Sequence, residues 1–115
     1  MTKIVIFTFR AEPQCMLHAL LYVLDLEENA LWGEIVFEEE STKLIPEMAK
    51  PDHFLHQPYL QAKTRGLLWG ACLACSNKMG VTHLIEAENI PLVGDLSGHP
   101  SISHFVKQDY MVLTL

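Results

Sequence analysis

A chain of 115 residues, half of them hydrophobic and 19% charged, has the size and the apolar content of one globular domain. A chain of this length buries roughly 65% of the surface its unfolded form exposes, so folding needs neither disulfides nor a metal. The formal net charge of −6 argues against nucleic acid and anionic membrane surfaces as partners, and no apolar run approaches the roughly 20 residues of a membrane-spanning helix.

The opening, "MTKIVIFTFR", has an apolar run too short for the core of a signal peptide, which needs about 7–15 residues. It is expected to be the first buried strand of a cytoplasmic protein. Pro13 suits the first turn of a helix, and Leu17, Leu20, Leu21 and Leu24 follow at helical spacing. Trp32 to Glu38 is expected as a second strand, with the run Glu38-Glu39-Glu40 as its solvated end. Ser41 and Thr42 suit the start of a short helical turn limited by Pro46. The stretch from Lys50 to Gln57 is irregular, and its His53 and His56 suit a lid or an oligomer contact.

A short helix over Pro58 to Arg65, a third strand over Leu67 to Ala71 and a helical turn over Cys72 to Met79 come next. An ambiguous piece around His83 to Glu88 precedes a fourth strand, Ile90 to Gly94. A helix over Ser101 to Gln108 and a strand over Tyr110 to Leu115 complete the pattern. Alternation of this kind predicts an α/β domain, a parallel sheet with helices on both faces. The whole chain, residues 1–115, is expected to be one such domain, without repeats or linkers.

In an open α/β sheet, ligands bind at the carboxyl ends of the strands. Cys72 falls where the third strand hands over to a helix, and Cys75 follows one turn later on the same side. A thiol at a helix start meets free backbone N–H groups, a setting that lowers cysteine pKa values, so thiol chemistry is expected here. The plainer reading is that both cysteines pack as small hydrophobes. Three cysteines with uneven spacing do not make a disulfide framework.

The stretch "PYLQAKTRGLLWGACLACSNKMGV" has a short helix, Gly66, an apolar strand, Cys72, and Gly80-Val81 eight residues after the cysteine. In this it resembles the DsrE/DsrF-like family, which includes the DsrE and TusD sulfur-relay subunits and YchN-like proteins. The opening "KIVIFTF" and the closing "GDLSGHPSISHFVKQDYMVLTL" suit the same pattern, so the likeness spans the chain. It implies a three-layer, flavodoxin-like α/β/α domain with a five-stranded parallel sheet. It also implies a homotrimer or homohexamer, and sulfane sulfur carried as a persulfide on the cysteine matching Cys72. Sulfur donor and acceptor proteins, or small sulfane-sulfur compounds, would be its partners. The sequence departs from the TusD-like pattern at Met79, where an Arg would stand before Gly-Val, with Lys78 beside it.

With a flavodoxin-like strand order of 2-1-3-4-5, the first and third strands would be neighbours, and Cys15 in the first helix would approach Cys72. Cys15, His18, Cys72 and Cys75 would then offer four zinc-type ligands, although two pairs on separate rigid helices fit one ion poorly. The expectation is a site without metal. Asp95 and His99 follow the fourth strand, and His99 suits proton transfer to a sulfur leaving group. Arg10 and Thr8, at the end of the first strand, suit an anionic substrate. "TFRAEPQC" holds neither a flavodoxin phosphate loop nor G-x-G-x-x-G, so no flavin or dinucleotide cofactor is expected. Besides sulfur carriage, two functions remain open: a dithiol–disulfide redox module on Cys72 and Cys75, and a non-catalytic oligomeric binding protein.

Overall fold

The computed structural model describes residues 2–115. Five strands form one sheet: β1 (Lys3–Thr8), β2 (Trp32–Phe37), β3 (Leu68–Cys72), β4 (Leu92–Val93) and β5 (Tyr110–Thr114). Between them lie α1 (Pro13–Glu28), a 3-10 turn (Glu39–Lys43) running into α2 (Leu44–Met48), and α3 (His56–Thr64). The helices α4 (Leu73–Met79), α5 (Thr82–Ala87) and α6 (Ile102–Val106) complete the chain. The ambiguous piece near His83 is therefore helical. Every strand pair is parallel.

The strand order is β4-β3-β2-β1-β5, which corrects the expected order 2-1-3-4-5. The third strand docks on β2, where the Ile35 N–H donates to the Leu67 carbonyl at 2.9 Å. The other edge of β1 is taken by β5, secured by Phe9 N–H to Leu115 O at 2.8 Å and Leu115 N–H to Phe7 O at 2.9 Å. Periodicity says which residues are extended, but it carries no information on which strand edge meets which.

Burial on both faces explains the unbroken apolar runs. Ile6, Ile35, Phe37 and Leu68 pack on one side against α1, α2, α3 and α5, through residues such as Leu20, Ile45, Tyr59 and Ile85. The other face is covered by α6, whose Phe105 packs among Val5, Phe7 and Val36. Its ring meets Phe7, Trp69 and Tyr110 edge-on, with centroids 5.6, 4.7 and 5.2 Å away. The buried stripe of α1 is Met16, Ala19, Leu20, Val23 and Leu24, while Leu21 turns to solvent. The apolar face of that helix is wider than the groove that receives it.

Buried side-chain nitrogen and oxygen atoms are all partnered among the described residues. Glu34 lies inside the sheet and accepts from the Tyr110 hydroxyl. Burial, and then Glu34 itself, push Tyr110 up to about 12. His53 Nδ1 accepts from the Leu55 N–H at 3.0 Å, and His56 Nδ1 lies 2.9 Å from the Met48 carbonyl. Both histidines of the irregular stretch thus hold its backbone in place. No helix among the described residues is long and apolar enough to cross a membrane.

Candidate functional site

Three neighbouring strands, β2, β3 and β4, deliver their carboxyl ends to one spot. The third strand ends in Cys72, which caps α4, and the Cys75 N–H donates to its sulfur at 3.3 Å. One turn of helix brings Cys75 to the same side, and the Ser76 hydroxyl donates to the Cys72 carbonyl at 2.6 Å, fastening that turn. The loop after the fourth strand sets His99 Nδ1 3.0 Å from Cys72 Sγ and 3.7 Å from Cys75 Sγ. Glu38, one residue beyond β2, completes the cluster. The ligating atoms of Glu38, Cys72, Cys75 and His99 lie within 4.8 Å of one another.

The loop that carries His99 is held to the start of α4. The Ala74 N–H donates to Gly98 O at 2.8 Å, and the Gly98 N–H to Gly94 O at 3.1 Å. Gly98 has a φ of 92°, a conformation open to glycine alone without strain. Glu38 is set by the chain on either side of it. Its N–H donates to the Thr8 carbonyl at 2.8 Å, and the buried Ser41 hydroxyl lies 2.8 Å from both the Thr8 and Glu38 carbonyls.

The electrostatics differ from the expectation. Cys72 is buried, as is Cys75. Burial first, then the Cys75 thiol, push the Cys72 thiol up to about 12, against a smaller lowering by the Cys75 N–H. The expected depression by a helix start is overturned because α4 has only seven residues and its few N–H groups do not offset desolvation. Burial also raises Glu38 above the usual carboxylate range; the nearby His99 opposes this and Glu39 adds to it.

The other expected residues are placed elsewhere. Cys15 and His18 are outside the cluster, because β1 is separated from β3 by β2. Cys15 is half-buried on α1 and His18 is exposed. Asp95 is exposed and accepts from the Ser101 N–H at 3.1 Å, which makes it a turn residue. Arg10 is exposed on a cleft of about 810 Å³ that also holds Lys78, Glu39 and Glu40. With Glu12, three acids line that cleft and counter the charge of Arg10. Thr8 is buried, and its hydroxyl donates to Ser41 at 3.0 Å.

Glu38 is the residue that the sequence reading takes for solvated strand end and the structure takes into the site. It stands at the carboxyl end of a strand, as Cys72, Asp95 and His99 do. Glu38 and His99 also form part of the wall of a second cleft, about 420 Å³, otherwise largely apolar through Phe7, Phe9, Leu96 and Ile102.

No protein-family profile matches the chain, and no curated protein does. Among solved structures it is similar to a conserved protein of unknown function from Bacteroides thetaiotaomicron. The two superpose with a TM-score of 0.77 at 18% sequence identity, over 98% of this chain and 94% of the other. That likeness supports the fold.

Proposed function

We propose that this protein carries sulfane sulfur as a persulfide on Cys72. The observation that supports this best is the contact of Cys72 Sγ with His99 Nδ1 at 3.0 Å, beside Cys75, with His99 itself in the wall of an apolar cleft. A thiol whose ionisation burial disfavours needs a proton acceptor in contact with it, and His99 is that acceptor. The motif resemblance to the sulfur-relay family, in which Cys72 takes the register of the sulfur-carrying cysteine, points the same way.

The chemistry balances without an outside oxidant. His99 takes the Cys72 proton, and the thiolate attacks the outer sulfur of a donor persulfide, R–S–SH. The donor's S–S bond breaks, a new S–S bond forms on Cys72, and R–S⁻ leaves with the proton from His99. An acceptor thiol removes the sulfur by the reverse exchange. Cys72 is buried behind His99 and does not itself line the cleft. The donor is therefore a small sulfane-sulfur compound or a slender persulfide group that enters the cleft and reaches the thiol once the His99 side chain gives way. The cleft volume of about 420 Å³ lies in the range of small-molecule sites. The family likeness further implies a homotrimer or homohexamer. Exposed Tyr22 and Leu113, which share a groove beside the edge strand β5, supply apolar surface for such contacts.

The closeness of Cys75 favours a second reading, dithiol–disulfide exchange. Cys75 attacking the inner sulfur of the Cys72 persulfide would release hydrogen sulfide and leave a Cys72–Cys75 disulfide. Mass spectrometry of reduced, chelator-treated protein after inorganic polysulfide separates the two. Sulfur carriage adds about 32 Da, one sulfur atom, to the peptide bearing Cys72. Cys72→Ser abolishes the gain, His99→Ala slows it by about 100-fold, and Cys15→Ser leaves it unchanged. Loss of two hydrogens with no lasting sulfur adduct selects the dithiol reading. A sulfur gain that survives Cys72→Ser overturns both.

A further inference from the structure

We propose that Glu38, Cys72, Cys75 and His99 together bind one divalent transition-metal ion of the zinc type. The inference stands on the donor set and does not use the sulfur chemistry. Two sulfurs, one imidazole nitrogen and one carboxylate oxygen converge within 4.8 Å of one another. Zinc bonds of about 2.3 Å to sulfur and 2.0–2.2 Å to nitrogen or oxygen place tetrahedral ligand atoms roughly 3.3–3.8 Å apart. The distances from His99 Nδ1 to the two sulfurs, 3.0 and 3.7 Å, are within roughly half an ångström of the nitrogen–sulfur spacing of about 3.5 Å in that arrangement. Adjustments of this size are within reach of side-chain torsions.

The type of ion follows from the donors. Thiolates disfavour magnesium and calcium, which take oxygen, and two thiolates with an imidazole suit zinc. The surroundings act as an outer shell that orients the ligands. The Cys75 N–H donates to Cys72 Sγ, a bond that a metal-held thiolate keeps. Ser76 fastens the turn bearing both cysteines, and Ser41 fastens the turn bearing Glu38. Binding would release the two thiol protons to solvent. With four protein ligands the ion has no open position, the pattern of a closed site and not of one that holds a reacting water. Metal and sulfur would then compete for Cys72, and the loaded protein would refuse sulfur.

The test is a titration of reduced, metal-free protein with Zn(II) against a chromophoric chelator, and with Co(II) as a spectroscopic probe. We expect one ion per chain, with the visible bands of tetrahedral cobalt and thiolate-to-cobalt charge transfer in the near ultraviolet. Cys75→Ser, His99→Ala and Glu38→Gln should each weaken binding at least about tenfold, since even outer-shell losses cost 10–100-fold. Cys15→Ser should not. Circular dichroism checks that each variant is folded, and the cobalt spectrum of the unaltered protein reports thiolate ligation without any variant. Absence of stoichiometric binding, cobalt bands without thiolate charge transfer, or binding lost in Cys15→Ser and kept in the other three would overturn the proposal. The titration contains no sulfur donor and the polysulfide experiment contains no metal, so either result can fail alone.

Discussion

Replacing Gly98 by Ala tests whether the loop bearing His99 is held as described. Two costs combine. The backbone sits at φ 92°, and an L residue in left-handed backbone costs about 1–3 kcal/mol. A Cβ at this position would also lie 3.1 Å from the Cβ of Ala74, closer than ordinary contact. Neither carbon can rotate away, since both are fixed to backbone, and Gly98 O is tied to the Ala74 N–H at 2.8 Å. A loss of about 2–3 kcal/mol is expected. With a urea slope near 2 kcal/mol/M, the unfolding midpoint should fall by about 1–1.5 M. The steric part can be separated from the torsional part: in an Ala74→Gly background the same substitution should cost less, because only the torsion is left. His99 should shift with the loop, so Gly98→Ala should also slow sulfur loading of Cys72 as His99→Ala does. A midpoint within about 0.3 M of the unaltered protein would refute the reasoning.

Two further predictions concern groups around the site and away from it. Burial opposes the charge on Glu88, but the hydrogen bonds from Tyr59 and Lys63 outweigh it and hold the carboxyl below its ordinary range. Its stabilisation is therefore complete above the unfolded pKa of about 4.3 and is lost as pH falls through the lower folded value. Urea midpoints from pH 7 to pH 3 should fall less in Tyr59→Phe than in the unaltered protein, and equal falls would count against this network. Ser41→Ala removes a buried hydroxyl that touches the Thr8 and Glu38 carbonyls and leaves Thr8 with one weaker partner, Val36 O at 3.4 Å. It should cost about 1–3 kcal/mol in the same assay. It should also weaken zinc binding through Glu38 while sparing sulfur loading at Cys72; unchanged zinc affinity would show that Ser41 does not set Glu38.

Much of the local structure was legible in the chain itself. The run Ile4 to Phe9, the helix opened by Pro13 and the strand ending at Cys72 all follow from apolar spacing and turn residues, which act over a few neighbours. The end of α4 is equally local, because Gly80 adopts a φ of 71° that stops a helix. The shared edge of Cys72, Cys75 and His99 is legible too, since each lies at or just beyond the carboxyl end of a strand. The expected strand order misplaces Cys15, and the acidic run Glu38-Glu39-Glu40 suits a solvated strand end, although the pairing of β2 with β3 carries Glu38 into the site. In the expected order, β1 would separate β2 from β3, leaving Glu38 about 10 Å away, two strand spacings, from Cys72. The pairing of β2 directly with β3 closes that gap and moves Cys15 away.

Burial had the same character. A cysteine at a helix start looks acidic when read along the chain. In the folded protein Cys72 is fully enclosed, and desolvation outweighs the N–H groups that face it. Which residues are extended or helical is decided by neighbours in sequence, and the chain alone determines it. Which strand edges meet, and how much water is left around a thiol, are decided by contacts between residues far apart in the chain, and only the tertiary structure contains those.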